Sequence, residues 1–238
     1  SRALYVEAKT YRAAGLELFR QKALPLNTPE GRKTDEFGLW SSKYLQSKVA
    51  LVQLDENIGL THPEDSNEYQ TILAKAADDY HAINNDYNGL AVGYFSKLYE
   101  ARTRLALGNP LDARALITEF TTLPRNNETL DLKTESLILL VEIDMHPDVK
   151  EYDDAVYRIQ AWQDFVSGSQ EQSPTGLKIH LLGGKASLAA ARVLGAQHTA
   201  YRDRLSIARE HFQYVAKFPG MHRMEARTLL LEPEFGNA

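Results

Sequence analysis

The chain contains no cysteine. That single absence removes disulfides, thiolate zinc sites, iron–sulfur clusters and cysteine nucleophiles, and it leaves the compartment open. Long apolar runs are missing too. The best are Leu137–Val141 and Ser187–Leu194, well short of the ~18 consecutive apolar residues that a membrane helix needs. A basic surplus is also lacking: net charge is −5 and the pI is near 5.8. This argues against a nucleic-acid binder, whose affinity for the phosphate backbone comes from clustered Lys and Arg.

Most signatures of chemistry are absent as well. His62, His81, His146, His180, His198, His211 and His222 are scattered along the chain, and none forms the His-Glu-x-x-His pattern that sets two ligands on one helix face. No metal and no cofactor is therefore expected. Gly183-Gly184-Lys185-Ala186-Ser187 fails as a phosphate loop, because Ile179 stands where Gly is required and Ala186 where Ser or Thr is required. The expectation for these glycines is close helix packing. There is no Gly-x-Ser-x-Gly elbow and no Asp-x-Asp-x-Asp-Gly loop. Asp78-Asp79 and Asp153-Asp154 are adjacent pairs, and neighbours on a helix diverge by about 100°, so neither pair straddles a scissile bond. Asn127-Glu128-Thr129 fits a glycosylation sequon, a pattern too short to carry weight. The opening segment Ser1–Lys9 mixes charge into every turn, unlike a signal peptide. The expectation is a mature or excised domain.

What is present is helical periodicity. With 43% hydrophobic and 25% charged residues, the composition is that of a folded domain rather than a disordered one. Apolar residues recur at three and four, which predicts an all-α chain. The first helix is predicted over about Ala3–Leu24, with Leu4, Ala8, Tyr11, Leu16 and Phe19 near one face, and it ends before Pro25, Pro29 and Gly31. Further helices are predicted over about Asp35–Gly59, Asn67–Asn84 behind a Ser66 cap, and Gly89–Leu107. After the Gly108-Asn109-Pro110 turn come Leu111–Leu123, Leu130–Met145, Tyr152–Val166, Leu177–Leu194, Tyr201–Phe218 and Met221–Leu231, making about ten helices. Ser136–Ile143 is strand-like in composition, but a lone strand has no partner, so it is expected to be the most buried helix. Gly168–Gly176 reads as a linker and coincides with a charge switch. Residues 127–174 hold 11 acidic and 3 basic side chains, net −8, whereas residues 175–227 hold 3 acidic and 9 basic, net +6. Mutual neutralisation is the expected arrangement.

A repeat underlies the helices. Ala77, Ala113, Ala155 and Ala208 mark the middles of second helices, at intervals of 36, 42 and 53 residues. Ala101 precedes Gly108-Asn109-Pro110, and Ala113 is followed by Ile117, Phe120 and Pro124. Ala155 is followed by Ile159 and Trp162, and Ala208 by Phe212, Val215 and Pro219. Small residues at these points let helices approach closely, and the aromatic four positions on fills the space between hairpins.

This order resembles the tetratricopeptide repeat (TPR) family, whose unit of about 34 residues is a helical hairpin. The likeness is clear in the second helices and poor in the first, where Lys97, Glu100 and Arg104 stand at the usual Trp, Leu and Tyr positions. Divergent repeats of this kind are similar to those of bacterial envelope lipoproteins and scaffold proteins. The resemblance implies stacked antiparallel hairpins forming a right-handed solenoid over residues 35–231, after an N-terminal helix and loop (1–34) and before a tail (232–238), with a joint at 168–176. It also implies a concave wall containing Phe95, Leu98, Arg102 and Leu105, without the Lys/Asn set that clamps a C-terminal carboxylate. The expected function is a non-enzymatic scaffold for a protein or peptide partner. The alternative is a helical carbohydrate-active enzyme or glycan-binding protein, with carboxylates converging from several helices. Homotypic stacking leaves the oligomeric state open.

Overall fold

The computed structural model describes residues 2–124 and 129–236. Among the described residues there are helices and no strand. The chain divides into two compact units, Ser1–Thr122 and Leu123–Ala238. The expected joint at 168–176 thus lies inside the second unit, and the N-terminal helix belongs to the body of the first.

The first unit contains α1 (Arg2–Ala23), α2 (Asp35–Gly59), α3 (Asn67–Asp86), α4 (Ala91–Ala106) and α5 (Pro110–Ile117), followed by a 3-10 stretch, Thr118–Thr122. Local chemistry sets the boundaries. The Thr34 hydroxyl accepts from the Phe37 amide at 3.2 Å and the Ser66 hydroxyl from the Tyr69 amide at 3.1 Å, each satisfying a donor that the first turn leaves free. Gly108, at φ +78°, turns the chain from α4 into Pro110 at the head of α5. Each helix packs on the next in order, and α2 also touches α4. Leu73, Ala76, Tyr80 and Ile83 of α3 are fully buried between these neighbours.

Helix α1 departs from its expected packing. None of its 22 residues is buried. Leu4 and Tyr11, placed near one apolar face by their spacing, are 64% and 72% exposed, and the main helical neighbour of α1 is α2. It is held by a Lys9–Asp55 ion pair, by Arg2 Nε donating to Thr61 Oγ1 at 2.9 Å, and by Phe19 stacked on Trp40 at 6.1 Å.

The second unit contains α6 (Leu130–Asp144), α7 (Tyr152–Gln163), α8 (Gly168–Glu171), α9 (Pro174–Leu194), α10 (Tyr201–Lys217), α11 (His222–Leu229) and α12 (Pro233–Gly236). The expected count of about ten helices omitted α8, which lies in the linker-like stretch, and α12, which lies in the expected tail. Here α6 packs on α7, α7 on α9, α9 on α10 and α10 on α11, while α9 also touches α6, α8 and α11. Such surroundings make α9, not α6, the most buried helix: thirteen of its 21 residues are buried against eight of 15.

Glycine permits this. A Cβ on Gly184 would stand 2.3 Å from the Phe212 ring, and one on Gly183 would stand 2.8 Å from His211 Nε2. The expectation of close packing at these glycines is met. The aligned Ala77, Ala101, Ala113, Ala155 and Ala208 are all 0–1% exposed. Phe212 is fully buried, and Pro219 is exposed in the turn after α10.

Candidate functional site

The residues projected onto a binding wall all lie on α4, and the structure separates them. Leu98 is 5% exposed and belongs to the core, so it offers no surface. Phe95 and Leu105 are half-buried. Arg102 is the most informative. Its Nε donates to Oε1 of Glu56 at 3.1 Å and its Nη2 to Oε2 at 3.0 Å, a two-pronged grip across from α4 to α2. The Tyr80 hydroxyl of α3 donates to the same Oε2 at 2.9 Å. The guanidinium lies 5.0 Å over the Tyr99 ring, and that ring neighbours both Tyr80 at 5.5 Å and Phe95 at 6.3 Å. Burial works against the charge on Arg102, but Glu56 outweighs it and raises its pKa further. Burial first, then Glu56, pushes the Tyr80 phenol well above its usual range. The outcome is an ordered cation whose side chain stays half exposed while its carboxylate partner is buried.

Other buried carboxylates follow the same plan. Glu100 is bound by Arg104 Nε at 2.8 Å and lies 3.2 Å from His81 Nδ1. Asp144 is bound by Arg158 Nε at 2.7 Å. Ion pairs also link helices that are not consecutive: Glu142–Lys178 at 2.9 Å joins α6 to α9, and Lys185–Glu225 at 2.5 Å joins α9 to α11. Asp153–Arg204 at 2.6 Å and the Arg192 fork to Glu232 and Glu234 tie up more of the basic segment. Of these, Glu142–Lys178 and Asp153–Arg204 join the acidic stretch to the basic one. Of the acidic doublets, Asp79 pairs with Lys75 and Asp153 with Arg204, both near the surface.

A cluster that local spacing does not reveal lies in the second unit. His180 of α9 and His211 of α10, read from the sequence as scattered, meet Nδ1 to Nδ1 at 2.9 Å. They are 31 residues apart on different helices, and the only hint is Gly183-Gly184, which marks a close approach from α10. The other ring nitrogen of His180, Nε2, lies 2.9 Å from Glu171 Oε1 of α8. Tyr214 packs on the His180 ring at 4.3 Å, and Trp162 meets it edge-on at 5.8 Å. Burial lowers the pKa of His180, against a partial upward pull from Glu171. Burial and then the His180 charge lower His211 to about 4. The Tyr214 phenol is raised by burial and then by Glu171. The three groups form a line rather than a convergent set, since both nitrogens of the middle histidine are engaged. Among the described residues no group of three or more His, Asp or Glu is placed to hold a metal ion.

No described helix is long and apolar enough to cross a membrane. Asn127 and Glu128 of the sequon lie outside the described residues. Compared with known proteins, the chain matches no family model, no curated protein and no solved structure.

Proposed function

We propose that the chain is a non-enzymatic interaction scaffold built on TPR-like hairpins, in which α2 and α4 act as first helices and hold a protein or peptide partner. The order of packing supports the repeat: α2 on α3, α3 on α4, α4 on α5, with the first helices α2 and α4 also touching. In the second unit, α6, α7, α9 and α10 follow the same scheme, with α6 touching α9.

The observation that carries the reading is Arg102. Glu56 holds its guanidinium in place before any partner arrives, over the partly exposed Tyr99 ring, whose own neighbour is the partly exposed Phe95. An ordered arginine beside aromatics needs little further ordering to bind, and such groups dominate interface energetics. The carbohydrate-active alternative requires a carboxylate free to move a proton. Glu56, Glu100 and Asp144 are instead each gripped by an arginine, which favours the scaffold.

Selection of a random peptide library against the immobilised chain tests this. Selected peptides should bind the wild type and lose at least tenfold in affinity to a Phe95→Ala protein that melts normally. Peptides that bind both proteins equally would sink the assignment of the face.

A further inference from the structure

We propose that the segment Ser167–Ser173, which contains α8, is an acid-released latch on α9, kept closed by the single proton that His180 and His211 share between their Nδ1 atoms. The latch is folded hard onto its seat. A Cβ on Gly176, in the first turn of α9, would stand 2.3 Å from the Gln170 carbonyl oxygen and 2.4 Å from that of Glu171. The hydrogen-bonded fastening from α8 to the interior is Glu171 Oε1 on His180 Nε2, and Glu171 also acts on the neighbouring Tyr214 phenol of α10.

Proton counting shows why the fastening fails in acid. In the neutral pair, His211 Nδ1–H donates to His180 Nδ1, and His180 Nε2–H donates to Glu171, so every bond has one proton and one lone pair. With one added proton the pair carries a single positive charge, held on His180 beside the Glu171 carboxylate, while neutral His211 carries its own proton on Nε2, beside Gly183. A second added proton must occupy the one lone pair left between the two Nδ1 atoms. Two N–H groups would then face each other at 2.9 Å, and two positive charges would share one carboxylate in a buried site. The pair has to separate, and the fixed Glu171–His180 contact is lost.

Among the described residues, Glu171 is the carboxylate that bonds the pair. On α10 the titratable neighbour is Tyr214, stacked on His180. From α7 come the uncharged Trp162 and Ile159. Glu142 of α6 and Glu225 of α11 are paired elsewhere, with Lys178 and Lys185. The burial that holds both histidines below their ordinary range acts in the same direction.

Ring-proton NMR on the full chain, titrated from neutral pH to below the His211 value of about 4, tests the proposal alongside Trp162 emission in a Trp40→Phe background. His180 and His211 should titrate as a linked pair below the ordinary value of ~6.5, with Trp162 emission changing in the same step while helical circular dichroism is retained. His211→Asn keeps a donor toward His180 Nδ1 but cannot be protonated, so the emission step should vanish or move at least one pH unit lower. Independent titration of the two histidines near the ordinary value would overturn the latch. So would an unchanged emission step in His211→Asn, or global loss of helix at the same pH in both proteins. The wild-type titration decides the matter even if the variant folds poorly.

Discussion

The Phe212 ring of α10 occupies the space that a side chain on Gly184 of α9 would fill, 2.3 Å from where its Cβ would be. Glycine inside a helix normally costs ~1 kcal/mol relative to alanine. Here that cost is offset by the approach of a fully buried aromatic ring.

Two glycines should consequently respond in opposite directions. Gly184→Ala should destabilise the protein by at least ~1–3 kcal/mol through overpacking. Gly38→Ala in α2, where nothing lies within 4 Å of the new Cβ, should stabilise it by roughly 0.5–1 kcal/mol. Urea unfolding followed by circular dichroism measures both, and equal effects would refute the packing account.

Around Glu56 the partners should rank by what each leaves behind. Arg102→Ala strands a buried carboxylate, and removing one partner of a buried pair costs ~3–5 kcal/mol. Half exposure of the arginine places the expected loss at or below the bottom of that range. Tyr80→Phe removes one hydrogen bond and leaves the ion pair, so about 1–2 kcal/mol is expected. Denaturant midpoints that rank the two in reverse would show that the tyrosine, not the arginine, anchors Glu56.

Stability should also depend on pH through His211. Its pKa falls from the unfolded value of 6.5 to about 4 on folding, so the unfolded chain binds more protons between those values. The stabilisation is complete above ~6.5 and is lost as pH drops toward the folded value, by ~2 kcal/mol between pH 7 and pH 5. Unfolding curves at the two pH values test the size of the loss, and His211→Asn should reduce it.

Much of the helical layout is legible because its causes are local. Asp35–Gly59 is bounded in the sequence as in the structure, since Thr34 caps one end and Gly-Leu-Thr-His-Pro closes the other. Glu100 and Arg104 stand four apart on one helix face, a pairing that spacing alone allows. By contrast Glu56 and Arg102 are 46 residues apart, and which helix faces lie opposite each other is decided by tertiary packing. The same holds for His180 and His211. The spacing of Leu4 and Tyr11 marks an apolar face without saying whether another helix covers it, and the structure leaves both exposed. Helix α8 was missed because the four residues Gly168–Glu171 are too few to show a period.

Cutting the chain should expose the unit boundary. A fragment ending at Thr122 keeps the first unit whole and should melt cooperatively. A fragment ending at Gly168 retains α6 and α7 without α9, leaving Ile138, Val141, Val156 and Ile159 without Ile179 and Leu182. It should bind hydrophobic dyes such as ANS and show a broadened melt. A longer fragment that melts as sharply as the shorter one and binds no dye would count against α9 as the centre of the second unit.

With none of its 22 residues buried, α1 can detach without disturbing the hydrophobic interior of α2–α4. Its backbone amides should exchange with solvent through a local opening of low free energy, on a timescale separate from global unfolding. Proteases that cleave after Arg12 or Lys22 should nick the native protein there while the remaining helices stay assembled. The rate of that nicking would report the docking equilibrium of α1, a quantity to which a global melt is blind.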